Sequence, residues 1–301
     1  MNPVTDTPLG SRSDAPAATS SAVVGMVGAG QLARMTLPAA VKLGIELRVL
    51  GRDPGDPAAM AATDFAEPDD FEALERFAAG CDVLTFDHEG VPTEHLEALQ
   101  DRGDRVMPPP DALAMAQDKL HARRRFQSLG VPQPGFTPVA TPAEAEAAAA
   151  RFGWPLVLKA RRGGYDGRGI VFASNQAEVE PVLAEPGAEW IAEPLVDIDC
   201  EVSQLLARSS TGEIALYPLV RTIQDQGICV ETRFPAAVEP ELERRAGELA
   251  AEIATAIGAV GIVAVELFVS KGELLVNELA LRPHNTGHWT CLLYTSDAAD
   301  E

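Results

Sequence analysis

The sequence predicts an α/β protein, with a helix-covered parallel sheet first and an antiparallel sheet later in the chain. Three observations carry that prediction. Apolar runs alternate with helical periods from Ala22 to Pro110, the order expected when each strand is followed by a crossover helix. "RVMPPP" (Arg105–Pro110) then closes that unit, because successive prolines can neither continue a helix nor pair in a central strand. From Glu189 onward, short apolar runs are joined by short turns, the pattern of an antiparallel sheet.

In chain order, "AVVGMVG" (Ala22–Gly28) reads as a buried strand, Gln31 to Leu43 as a helix stopped at Gly44, and "IELRVL" (Ile45–Leu50) as the next strand. A short element near Thr63–Ala66, a helix over Asp70–Ala79 and the strand "CDVLTF" (Cys81–Phe86) follow. Asp111 to Leu129 reads as one helix, broken by Gly130, Pro132 and Pro134. Thr141 is placed to cap an alanine-rich helix with Pro142 at its first position. "EWIAEPLV", "DCEVSQLLA", "EIALYPLV" and "GICVETRF" read as strands of one antiparallel sheet. Leu242, Ala246, Leu249, Ile253 and Ile257 fall at helical spacing up to Gly258, and "GIVAVELFV" pairs with "ELLVNELA" as a hairpin across "SKG". No internal repeat is present.

Composition narrows the function classes. The 301 residues are 46% hydrophobic and 23% charged, ordinary for a globular chain with a real core. Lys and Arg number 24 against 45 Asp and Glu, a net charge of −21 that disfavours nucleic acid or an anionic membrane as a bulk partner. No apolar run approaches the roughly 20 residues of a membrane span. Residues 1–21 are polar and Pro/Ser/Ala-rich without an apolar signal core, so a disordered tail is expected there. Cys81, Cys200, Cys229 and Cys291 show no paired spacing and read as free thiols of a reducing cytoplasm. "CLLYTSDAADE" (Cys291–Glu301) carries no element signal and looks like non-native linker sequence.

The sharpest chemical signal is "KARRGGYDGRGI" (Lys159–Ile170), four glycines and four cations in twelve residues after the apolar run "WPLVL". Glycines let backbone N–H groups approach phosphate oxygens, and a lysine closing a strand can place its ammonium on the same group. A solvated basic turn is the plain alternative, against which stand the apolar strand and the clustering of cations in an acidic protein. "GAGQLA" (Gly28–Ala33), with Asp53 downstream, matches a dinucleotide fingerprint, yet fits a tight strand-to-helix turn without nucleotide equally well. Glu266 interrupts the apolar "VAVELFV" and Glu278 lies on the partner strand; two carboxylates beside phosphates suit Mg²⁺, with a salt bridge to Arg282 as the plain alternative. "RPHNTGHW" (Arg282–Trp289) lacks the Cys or acid to complete a zinc site and reads as a rigid loop for a small anion. His88, His95 and His121 read as surface or core residues.

Taken together, "GxGQLxRM", "TFDHEGVP", "QDK" before a helix, "GGYDGRG" and "NELxxRPHNTGHWT" resemble the 5-(carboxyamino)imidazole ribonucleotide synthase family, ATP-grasp enzymes of purine biosynthesis. The resemblance runs from about Val23 to Thr290, and its last motif is the most specific. It implies a Rossmann-like pre-ATP-grasp domain over residues 22–110 and an ATP-grasp domain of two α+β lobes over 111–290, between the tail 1–21 and the segment 291–301, with the family's C-terminal domain missing. It also implies a cytoplasmic carbon–nitrogen ligase, a homodimer, that uses ATP, Mg²⁺ and bicarbonate to carboxylate the exocyclic amine of aminoimidazole ribonucleotide through carboxyphosphate.

On that resemblance Lys119 and Lys159 meet the ATP phosphates, and Gly164, Tyr165, Asp166, Gly167, Arg168, Gly169 and Ile170 fold over them. Glu193, Pro194, Leu195 and Val196 hold the adenine and Glu201 the ribose. Asn277 and Glu278 take the phosphate end, where Glu266 and Glu278 carry the metal. Glu89, Tyr165, Asp166 and Arg168 lie near the ribonucleotide and Arg282 and His284 near bicarbonate, with Asp166, Arg168, Arg282 and His284 as the catalytic set. The chain departs from the family at Arg221-Thr222, where Glu-Asn is usual, at Leu281, where Pro is usual, and in "TFDHEGVP", which is looser than "TYEFENVP". The expectation for this stretch is Mg·ATP binding with poor carboxylation. The competing readings are another ATP-grasp ligase, an NAD-dependent oxidoreductase, and an inactive ATP-binding fragment.

Overall fold

The structure is a computed structural model and describes residues 22–292 apart from 68, 165–168, 186, 188 and 226. The tail 1–21, the loop residues Tyr165, Asp166, Gly167 and Arg168, and residues 293–301 lie outside the described residues.

The first sheet holds β1 (Val23–Val27), β2 (Glu46–Gly51), β3 (Ala62–Phe65) and β4 (Val83–Phe86), all parallel in the order β3-β2-β1-β4. Helix α1 (Gln31–Leu43) ends on Gly44, whose left-handed backbone (φ 67°) only glycine adopts freely. Asp70 caps α2 (Phe71–Ala78) by accepting from the Ala73 N–H, and Leu74 and Phe77 bury its inner face. Helix α3 (Thr93–Asp101) has no counterpart in the sequence reading. Its two buried leucines, Leu96 and Leu99, sit one turn apart in an otherwise polar run, too few to raise a periodic signal. Because β1 lies between β2 and β4, a crevice opens at the carboxyl ends of β1 and β4, beside Gly28–Gly30 and Asp87–Glu89.

The helix expected over Asp111–Leu129 is two helices, α4 (Pro110–Gln117) and α5 (Lys119–Leu129). Asp118 separates them in an extended conformation (φ −131°, ψ 103°) and accepts from the Leu120 and His121 N–H groups. Tertiary charge overrides helix continuity here: the Asp118 carboxylate also takes Arg161 at 2.7 Å and Arg162 at 3.1 Å. Those partners lie beyond any local window.

The second sheet is antiparallel throughout, β5-β8-β6-β7, from β5 (Thr137–Val139), β6 (Leu156–Ala160), β7 (Ile170–Ala173) and β8 (Trp190–Pro194). Two helices cover it, α6 (Pro142–Phe152) and α7 (Gln176–Leu183). A reciprocal Thr141–Glu144 capping box starts α6, as the sequence predicts. β7 and α7 were not anticipated, and "EWIAEPLV" belongs to this sheet rather than to the later one.

The third sheet is β12-β11-β9-β13-β14, also antiparallel, with β10 on the free end of β9. Its strands are β9 (Cys200–Arg208), β10 (Ile214–Leu216), β11 (Val220–Asp225), β12 (Ile228–Arg233), β13 (Gly261–Ser270) and β14 (Glu273–Ala280). "EIALYPLV" is therefore two strands, split where Pro218 has no N–H to donate to a ladder. The β13–β14 hairpin turns over Lys271 (φ 53°) and Gly272 (φ 77°), the two left-handed residues of a tight hairpin turn. Helix α8 (Pro240–Ala256) buries Leu242, Ala246, Ala250 and Ile253 against this sheet.

One continuous apolar core joins the first sheet, α3 to α5 and the third sheet, whereas the second sheet keeps a separate core around Leu156, Leu158, Val179 and Trp190. Cys81, Cys200 and Cys229 are free thiols. Among the described residues no helix is long and apolar enough to cross a membrane.

Candidate functional site

Between the second and third sheets lies a cavity of about 350 Å³. Strands β6 and β8 form one wall, β9, β13 and β14 the other, and the start of α5 closes one end. The apolar run Leu156–Leu158 buries β6, and the next residue, Lys159, leaves it with its side chain 8% exposed. Its Nζ lies 2.9 Å from Glu193 Oε2 and donates to Asn277 Oδ1, also at 2.9 Å, bridging the two sheets. Phe172, Leu195, Ile198 and Phe268 give the cavity an apolar end; among the described residues Phe172 is 63% exposed and Leu195 51%. An apolar slot running into a cluster of cations fits a flat heteroaromatic base carrying phosphates.

Glu266 and Glu278 are direct cross-strand partners in the β13–β14 register. Like charges placed so destabilise a sheet unless something comes between them. Burial first, and then the facing Glu278, push the Glu266 carboxyl well up. Burial would raise Glu278 too, but Lys119 at 2.7 Å outweighs it and holds that carboxyl low. Nearly half of the Glu278 side chain (46%) still opens to the cleft, so solvent tempers both effects. Among the described residues no three His, Cys, Asp or Glu side chains converge on one point. A pair of facing carboxylates fits a hard cation that takes one or two protein carboxylates and finds its other oxygens on phosphate and water.

At the far end Arg282 Nε donates to Glu89 at 2.8 Å, and His284 Nε2 lies 3.3 Å from Glu266. The salt bridge weighed between one of these carboxylates and Arg282 does not form: Glu278 goes to Lys119, Glu266 faces His284 and Arg282 goes to Glu89. Burial, and then Arg282, push His284 down to about 4, so the imidazole is neutral and Arg282 carries the positive charge of this end. Thr286 Oγ1, itself paired with Ser203, fixes the His284 ring through Nδ1 at 2.9 Å.

The "QDK" triplet resolves into three tasks. Gln117 donates to the carbonyls of Glu89 (3.0 Å) and Val91 (2.7 Å) and accepts from Thr93 (2.6 Å), pinning the loop that carries Glu89. Asp118 anchors the base of the basic loop, and Lys119 reaches Glu278. Arg161 and Arg162, two of the four loop cations, are thus held by Asp118 and, for Arg161, Glu189. Gly164 and Ile170 line the cavity. Gly169 (φ +74°) packs so that a Cβ would meet Ala160 at 2.8 Å. Glu193 is 2% exposed with both oxygens occupied by Arg123 and Lys159, while Pro194, Leu195 and Val196 line the cavity beside it. Glu201 faces the cavity, its carboxyl raised by burial.

"GAGQLA" serves a different anion from the one its fingerprint implies. The Asp87 carboxylate accepts from the Gly30 N–H at 2.6 Å, capping α1 from the adjacent strand. A Cβ on Gly28 would stand 1.9 Å from Asp87 Oδ1, and one on Gly30 2.7 Å from Oδ2. These glycines make room for a side chain of the protein itself, and the orthodox phosphate position at this helix terminus is filled. Sequence reasoning missed Asp87, Asp118 and Arg123. The last sits in "ARRR", which looks like a solvated basic run, although only Arg124 and Arg125 of the three arginines are exposed.

A profile described as the ATP-grasp domain matches residues 124–297, and one described as the ribonucleotide synthetase preATP-grasp domain matches 21–117. The chain is 48% identical over 284 residues to an N5-carboxyaminoimidazole ribonucleotide synthase of Mycobacterium tuberculosis, covering 91% of this chain and 66% of that protein. It thus spans slightly less than two thirds of that relative's length. It is 43% identical to the synthase of Corynebacterium ammoniagenes, covering 89% of this chain and 68% of the relative. The crystal structure of the Aspergillus clavatus synthase with ADP and 5-aminoimidazole ribonucleotide superposes with a TM-score of 0.82 at 29% identity, covering 90% of this chain and 72% of that one.

Proposed function

The chain belongs to the N5-carboxyaminoimidazole ribonucleotide synthase family of ATP-grasp proteins, and from that membership we propose that it binds Mg·ATP in the cleft and serves the carboxylation of 5-aminoimidazole ribonucleotide. The observation that carries the reading is the apolar slot ending at Lys159, Lys119 and the facing carboxylates Glu266 and Glu278. The base lies against Phe172, Leu195 and Phe268, with Glu201 at the ribose and Lys159, Lys119 and Asn277 at the phosphates.

Glu266 and Glu278 would hold the metal, which supplies charge neutralisation at the transferring phosphoryl group. A bicarbonate oxygen attacks the γ-phosphorus and the bond to ADP breaks, giving carboxyphosphate. Phosphate leaves as CO₂ forms, the exocyclic amine takes the carbon, and the released phosphate takes the amine proton. Arg282, oriented by Glu89, is the cation for bicarbonate, and neutral His284 holds its position beside it. Tyr165, Asp166 and Arg168 meet the ribonucleotide by analogy with the family. Cytoplasmic location and a homodimer go with this reading.

The test measures ADP release with bicarbonate, with and without the ribonucleotide, and detects the carbamate directly. It compares this chain with a chimera completed from the mycobacterial relative. Carbamate from the chimera is the expected result; absence of both ADP release and carbamate from the chimera overturns the proposal. The metal assignment has its own check, because Glu278→Gln should weaken ATP binding in Mg²⁺ and barely change it in EDTA. Equal weakening in both would instead assign Glu278 to Lys119 alone.

A further inference from the structure

Arg123 has no part in the roles given above, yet it is among the most enclosed charges of the molecule, with a side chain 3% exposed. It stands one helical turn beyond Lys119 on α5. Its Nε donates to Glu193 Oε1 at 2.6 Å, its Nη1 to the Val276 carbonyl at 2.7 Å and, more weakly, to Gln133 Oε1 at 3.4 Å. The other oxygen of Glu193 takes Lys159 at 2.9 Å. Two cations therefore share one carboxylate, and all three side chains are at most 8% exposed.

A neutral pair of Lys159 with Glu193 would satisfy both groups, so the third charge needs an explanation. Out of reach of water, a surplus positive charge is costly until an anion meets it. All three line the cavity, but Arg123 is 3% exposed and spends Nε and Nη1 on Glu193 and the Val276 carbonyl, whereas Lys159 also touches Asn277 at the phosphate end. We propose that Arg123 is a positioning residue that sets the cleft's affinity for phosphate without touching the ligand: by sharing Glu193 it stops that carboxylate from neutralising Lys159 and leaves a net positive charge for a nucleoside polyphosphate. Burial first, and Arg123 among the remaining causes, lower Lys159 while Glu193 raises it, as expected of two cations competing for one carboxylate. The Val276 contact directs the same guanidinium at the residue preceding Asn277 and Glu278. This inference rests on the cleft being a nucleotide site.

The experiment titrates adenosine, ADP and ATP calorimetrically into the unchanged chain, Arg123→Lys, Arg123→Gln and the double variant Arg123→Gln/Glu193→Gln. Arg123→Gln makes the trio neutral and is expected to weaken ATP and ADP by about tenfold to a hundredfold, with adenosine changed by less than about threefold. Arg123→Lys keeps the charge and should keep ATP affinity within about threefold. The double variant restores the surplus charge with an uncharged amide pair, so it should bind ATP better than Arg123→Gln. If Arg123→Gln alone fails to fold, the folded double variant is compared with the unchanged chain: ATP affinity within about tenfold supports the inference, and a larger loss overturns it. Equal losses for adenosine and ATP, or a double variant that binds no better than Arg123→Gln, would overturn the inference. If the unchanged chain binds no nucleotide, the reading of the cleft falls and this inference with it.

Discussion

Glu193→Gln should melt about 6–20 °C below the unchanged chain, the largest stability loss expected from any single polar substitution in the cleft. The carboxylate is 2% exposed and is the shared counter-charge of Arg123 (3%) and Lys159 (8%). Removing it leaves two enclosed cations facing each other, and breaking a buried pair from one side costs about 3–5 kcal/mol. For a chain of this size each kcal/mol shifts the melting point by roughly 2–4 °C. Saturating ATP should recover part of the loss, because the phosphates replace the missing counter-charge. The Arg244 pairs with Glu241 and Glu248 provide the contrast: all three side chains are more than half exposed, and deleting either pair should move the melting point little. Calorimetry or circular dichroism decides. A shift below about 3 °C would mean that water reaches the trio and that its burial counts for little.

Lys159→Met should behave in the opposite way, with a large loss of binding and a small loss of stability. The substitution leaves Arg123 and Glu193 as a one-to-one pair, so no enclosed charge is abandoned, and the methionine fills most of the volume of the lysine stem. What disappears is the one ammonium that bridges Glu193 and Asn277 at the phosphate end. A charge-assisted hydrogen bond contributes about 1.5–3 kcal/mol, so the dissociation constant for ATP should rise by roughly one to two orders of magnitude. An unchanged constant, measured by titration calorimetry, would remove Lys159 from the phosphate site. The contrast between the two variants matters more than either value, because simple misfolding would lower both properties in both proteins.

Much of this architecture is legible in the sequence, for reasons that differ by element. The first sheet announces itself because each strand is a short apolar run and each helix has a local stop or cap, as at Gly44 and Asp70. The β13–β14 hairpin is legible from two apolar strands around a Lys-Gly turn. Glu266 stands out because a carboxylate in an apolar strand demands a partner. Where sequence reading failed, the cause was a contact with a distant residue. Asp118 breaks a good helical pattern because Arg161 and Arg162 come to it across 43 and 44 positions. Arg123 hides in a run of arginines because its partner Glu193 lies 70 positions away. β7 is four residues long and α7 contains Pro181, which makes both weak as local signals.

The carboxylate that caps α1 bears on which substitutions the chain can accept over its history. Gly28 needs glycine on its own account, since its backbone is left-handed (φ +103°). Gly30 does not: its φ of −74° is open to alanine, and only the Asp87 oxygen 2.7 Å from the missing Cβ forbids it. Positions 30 and 87 are therefore epistatic. An alanine at 30 requires the aspartate at 87 to shift or to be given up, and either way the N–H at position 30 needs another acceptor. The two segments inherit change as one unit, although 57 residues separate them.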